Sequence, residues 1–150
     1  MIVLQVAGIG TFVHESTHGV QFDAGGMAFR KDRKGVFGED IFDEVEAYRS
    51  QYSFEPDSLI GPPFPPEQLI FKRIDTAWVR RLESRNGRIY SCGGSANVAQ
   101  VRLTIYSGWE EIREGYHCDS ELDRKYPPGY KPTNDSTLYY NAQNRRVAPR

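Results

Sequence analysis

"HESTH", residues 14–18, sets two histidines four positions apart with a glutamate directly after the first. Its chemistry depends on local structure, because only a helix turns that spacing into convergence. Around it Val3, Val6, Ile9 or Gly10, Val13, Thr17 and Val20 recur at intervals of three and four, which predicts a helix over roughly 3 to 23 with these residues on one face. The glycine pair in "DAGGM", residues 23–27, ends it, since glycine accepts the left-handed conformation that stops a helix.

On such a helix positions i and i+4 lie about 40° apart around the axis and one turn along it, so His14 and His18 can aim their imidazoles at one point. Glu15 is offset by about 100°, which lets its carboxylate address a water on a metal without becoming a ligand. A catalytic zinc site uses three protein ligands and one open place. The extended pattern with a third histidine requires Gly at 21 and His at 24, and the chain has Gln21 and Ala24. A carboxylate from a second helix is then expected. "DEVEAYRSQY" supplies Asp43, Glu44 and Glu46 on a helix that should start near Asp40, carry acids in its first turn, and place Ile41, Val45 and Tyr48 or Tyr52 on one face.

The run "HESTHGVQF…DEVEAYRSQYSF" resembles the zincin metallopeptidases of the gluzincin type, in which an HExxH helix is followed by a helix bearing a glutamate ligand in an ExxA or ExEA context. "EVEA" here is Glu44-Val45-Glu46-Ala47. The resemblance implies an α+β, zincin-like fold and a Zn2+ ion held by His14, His18 and Glu44, with Glu46 as the fallback ligand and Ala47 small enough for close helix approach. It implies Glu15 as general base and acid in hydrolysis of a peptide bond, on a protein or peptide substrate. It also implies a tyrosine or histidine that stabilises the oxyanion, for which Tyr48, Tyr116, His117, Tyr139 and Tyr140 are available. The same run is similar to small zincin-like domains at the ends of bacterial polymorphic toxins and other secreted effectors, which implies residence in a bacterial cytoplasm or delivery by a specialised secretion system. The resemblance covers roughly residues 9 to 54. Zincins place a strand and a helix ahead of the active helix; here the sheet must come from segments after residue 88, or from sequence upstream in a longer protein of which this is the C-terminal part. The alternative is a metal-retaining or degenerate zincin-like binding module without catalysis.

The 150 residues fit a single domain. A net charge of −1 with scattered basic residues gives no footprint for nucleic acid or an anionic membrane, so neither is expected as a partner. Cys92 and Cys118 are too few for a disulfide scaffold and not spaced as a CxxC pair, which argues against a closed structural zinc site. The apolar start has no basic residue before Arg30 and is not expected to be a signal peptide, and no apolar run is long enough for a membrane span. "RKDRKGVFG", residues 30–38, is expected as an exposed loop. "EPDSLIGPPFPPEQ", with five prolines in fourteen residues, is expected as a semi-rigid connector or groove wall. "DTAWVRRLESRNG" predicts a short third helix capped by Asp75 and stopped at Asn86-Gly87. "RIYSC" and "VAQVRLTIYSGW" suggest small strands in the C-terminal half, and residues 128–150 a loop or tail. Trp78 and Trp109 are expected in the core or a groove wall, and Gly25-Gly26 and Gly93-Gly94 as turns rather than phosphate cradles.

Overall fold

Asp40 is the pivot on which the second helix is built. Its side chain accepts from the backbone N–H groups of Phe42 and Asp43, and the Asp43 carboxylate accepts in turn from the Asp40 N–H at 2.9 Å, a reciprocal capping box. The helix α2 that follows, Ile41–Phe54, lies close to the expected bounds. Asp40 is fully buried and also accepts from the backbone N–H of Leu103, so one carboxylate ties the helix start to a segment sixty residues on. In the computed structural model the described residues are 7–30, 36–37, 39–91, 94–96, 98–104, 107, 111, 114–115, 139–140 and 146–147; the side chains of 28–30, 36–37, 139–140 and 146–147 are outside the description.

The first helix α1 runs Ile9–Asp23, starting later than the spacing predicts, because Gly8 is extended and acts as N-cap. No side chain of Gly8 can cap it. Instead the carboxylate of Glu55, at the end of α2, accepts from the Gly10 N–H at 2.7 Å. The stop is as expected: Gly25 has φ 83°, its N–H donates to the Phe22 carbonyl and that of Gly26 to the Gln21 carbonyl, which is a Schellman ending. The expected apolar face is met in part: Gly10 is buried and Val13 and Thr17 are half-buried, whereas Ile9 and Val20 are 61 and 67% exposed and Val3 and Val6 lie outside the described residues; the buried residues of α1 are Gly10, His14 and Gln21. Tertiary packing has overridden the apolar stripe, for the face that meets α2 is polar.

The hydrophobic core lies on the other side of α2. Ile41, Val45 and Tyr48 pack with Leu59, Ile74, Trp78, Val79, Leu82 and Val98, and no residue of α1 belongs to that cluster. Ile74, Trp78 and Val79 come from the short helix α3, Thr76–Arg80, and the residues leading into it, with the Asp75 side chain accepting from the Trp78 N–H as expected of an N-cap. Phe64 from the proline segment stacks on Trp78 at 5.9 Å, so that segment is a wall of the core. It contains one short 3-10 turn, Pro56–Leu59, and no strand, and its Pro62 to Pro66 stretch lines a cavity of about 860 Å³ with Arg81, Arg85 and Ile89.

Strands form in both halves of the chain, which corrects the expectation of strands after residue 88 only. The antiparallel strands β1, Ala28–Arg30, and β2, Val36–Phe37, flank part of the expected loop at 30–38. Asn86-Gly87 is not a helix stop: α3 ends at Arg80, and β3, Glu83–Ser84, pairs with β4, Gly87–Arg88, across the two-residue turn Arg85-Asn86, with φ 101° at Gly87. Of the expected strand segment 98–109, residues 98–104 carry a single bridge, Asp40 to Ala99, and 105, 106, 108 and 109 lie outside the described residues. Within the expected tail, β5, Tyr139–Tyr140, and β6, Arg146–Val147, complete a sheet of order β2-β1-β5-β6. The result is a mixed architecture, helices with small antiparallel sheets, compatible with the expected α+β class. Among the described residues no helix is long and apolar enough to cross a membrane.

Candidate metal centre

The buried polar face of α1 and the first two turns of α2 bring His14, His18 and Glu44 together. The two Nε2 atoms lie 3.3 Å apart. His14 Nε2 is 3.5 Å from one Glu44 oxygen and His18 Nε2 is 3.6 Å from the other. An ion bound tetrahedrally at ~2.05 Å from each donor would hold any two donors about 3.3 to 3.4 Å apart. The 3.3 Å edge between the two imidazoles matches that figure, and the two imidazole–Glu44 distances run to different oxygens of the one carboxylate.

Burial makes the arrangement costly unless something compensates it. His14 is 6% and Glu44 3% exposed, and Glu44 Oε2 has no hydrogen-bond partner among the described residues. A carboxylate oxygen removed from water in this way calls for a cation. His14 Nδ1 is likewise buried without a partner among them. The His14 ring is clamped from both sides, edge-on against His18 at 5.0 Å and against Tyr48 at 4.3 Å.

Two tyrosines close the site. The hydroxyls of Tyr48 and Tyr90 are 3.2 Å apart, and both phenols are held above their ordinary range, first by burial. For Tyr90 the Glu44 carboxylate adds to this, for Tyr48 the more distant charges of Glu44 and Glu15. The carboxylates at the start of α2 feel the same low dielectric. Burial pushes Glu39 up to about 7, with Glu44 adding and His18 opposing, and pushes Asp43 up to about 6 against the stabilising N–H of Asp40.

Of the expected site residues, His14, His18 and Glu44 converge, and Glu15 is half-buried on the next position of α1. Glu46 does not join them. It is exposed, and its carboxylate accepts from Gln21 Nε2 at 2.9 Å, so the choice between the two glutamates of "EVEA" falls on Glu44 by geometry. Asp43 is committed to the capping box. Ala47 is fully buried, in keeping with its expected place between helices. Of the tyrosines considered, Tyr48 packs on His14. Tyr116 and His117 lie outside the described residues, as do Cys92, Cys118 and Trp109 and the side chains of Tyr139 and Tyr140. Tyr90, Gln21 and Glu39 are neighbours of the site that the motif did not indicate. Gln21 had a legible signal, three positions after His18 on the same helix face; Tyr90 had none, being brought in from beyond the hairpin.

Comparison with protein-family models, curated proteins and solved structures finds no match to this chain. The functional reading therefore rests on the residues alone.

Proposed function

We propose that this chain is a zinc-dependent metallopeptidase in which His14, His18 and Glu44 hold the ion and Glu15 handles the proton. The observation that carries the reading is the convergence of His14, His18 and Glu44, the first and last of them buried, with a Glu44 oxygen that no N–H or O–H among the described residues satisfies. Two imidazoles and one carboxylate form a donor set suited to zinc. When bound, the ion would supply Lewis acidity and lower the pKa of a coordinated water to about 7.

The rest is the work of the chain. Glu15 is positioned by the helix beside the first histidine but rotated off it, so its carboxylate can receive a proton from a nucleophilic water and return it to the leaving amine. The Tyr48–Tyr90 pair keeps its phenols protonated, and Tyr90, the more accessible of the two, is the group at hand to donate to an oxygen that gains charge. A protein or peptide is the substrate that this chemistry fits, and the resemblance of the "HESTH" and "EVEA" motifs alone favours a delivered effector as the setting.

The test is bound-metal analysis of the wild type and of Glu15→Gln, with cleavage assayed on a peptide library. Glu15→Gln should keep stoichiometric metal and lose roughly 10²- to 10⁴-fold in rate. Metal retained by both proteins with cleavage by neither would favour a metal-retaining binding module.

A further inference from the structure

Gln21 bridges the two helices beside the candidate metal centre, and its three contacts determine which way its amide points. One end is 3.1 Å from the Asp43 carbonyl oxygen and 2.9 Å from Glu46 Oε2. Both of those atoms are acceptors, so that end is the NH2 group; reversing the amide would set oxygen against two oxygens. The other end, Oε1, is consequently an acceptor, and it lies 2.8 Å from His18 Nδ1. A lone pair cannot satisfy Oε1. His18 must carry a proton on Nδ1, so the neutral ring has its lone pair on Nε2, the nitrogen beside His14 and Glu44.

We infer that Gln21 is a positioning residue that sets the His18 tautomer and ring orientation for metal binding, relaying the fixed acceptors of α2 through its amide to Nε2 of His18. The inference rests on the metal reading of His14, His18 and Glu44. A neutral amide here replaces the carboxylate or backbone carbonyl that more often orients a metal-binding histidine. It also couples the ligands of the two helices: the Asp43 carbonyl that anchors Gln21 belongs to the residue next to Glu44, so a shift of α2 along α1 would move His18 and Glu44 together. Gln21 is buried, 8% exposed, and its bond to the Asp43 carbonyl is buried with it.

Nitrogen-15 NMR of histidine rings in the metal-free wild type tests the tautomer without any need for activity. The expected result is a neutral His18 ring with its proton on Nδ1; a neutral ring protonated on Nε2 overturns the inference. Competitive zinc titration then compares wild type with Gln21→Met, which keeps the volume but removes both acceptor and donor, and with Gln21→Glu, which keeps the acceptor alone. Gln21→Met should weaken zinc binding roughly 10- to 100-fold and lose the tautomer preference, whereas Gln21→Glu should retain the tautomer and recover part of the affinity. Unchanged affinity in a folded Gln21→Met overturns the inference, and should that variant not fold, a Gln21→Glu protein with the opposite tautomer does so. If the wild type binds no zinc, the metal reading fails, while the tautomer measurement still decides how Gln21 holds His18.

Discussion

The two helices that meet at the metal centre are held in opposite ways. α2 is capped at its start by a buried carboxylate, and its Ile41, Val45 and Tyr48 sink into the main core. α1 begins at a glycine with no cap of its own, exposes Ile9, Phe12 and Val20, and offers its partner a face of glycine, histidine and glutamine. Burial of an aliphatic side chain contributes roughly 1.5 to 3 kcal/mol, while a neutral hydrogen bond nets about 1. α2 is thus fixed by the fold, and α1 is fixed largely by the polar contacts of the site. A metal ion across their interface would fasten the weaker helix to the stronger.

Ile41→Ala should produce the largest effect. It empties a fully buried position of α2 and should destabilise the protein by roughly 2 to 5 kcal/mol in denaturant unfolding, with α1 lost along with α2. Zinc removal comes next. At free zinc a hundredfold above its dissociation constant, binding adds about 2.7 kcal/mol, so chelation should lower the melting temperature; hydrogen exchange should then accelerate in α1 well before α2. Equal acceleration in both helices would break the contrast between them. Asp40→Ala removes the side-chain cap and should cost about 1 to 2 kcal/mol, read from the same unfolding curves. Gly10→Ala sharpens the comparison at the N-terminus of α1, because a Cβ there would come within 2.9 Å of Ser58 Cβ and 2.7 Å of Glu55 Oε2. It should displace that turn, weakening protection of the first α1 amides while leaving α2 unaffected. The smallest effect belongs to Val20→Ser, which should stay within about 0.5 kcal/mol of wild type because the residue is exposed. A loss above about 2 kcal/mol would show that the outer face of α1 is covered after all.

The differing origins of the two helices also explain what the sequence made legible. Start and apolar face of α2 are local: Asp40 caps a first turn that carries Asp43 and Glu44, with Ile41, Val45 and Tyr48 on one face, and each lies as its pattern implies. The glycine stop of α1 and the convergence of His14 and His18 are local too, since helix geometry alone fixes them. The buried face of α1 was not legible, because the apolar residues Val13, Thr17 and Val20 gave the stronger periodicity while the polar site residues decided the packing. Glu44 over Glu46 needed the position of α2 relative to α1, which no spacing within "EVEA" encodes. Asn86-Gly87 suits a helix stop and a hairpin equally, and the pairing of Glu83 with Arg88 decided for the hairpin. The sheet joins residues more than a hundred positions apart, Phe29 with Tyr140, and two-residue strands carry almost no alternation to read.

Zinc titration of the wild type, Glu44→Gln and Glu46→Gln most directly tests whether one ion joins the two helices. One ion per chain should bind to the wild type and to Glu46→Gln with similar affinity, and Glu44→Gln should bind at least about a hundredfold more weakly, as expected when a charged first ligand is lost. No binding by the wild type at micromolar zinc, or equal binding by all three proteins, would contradict the account.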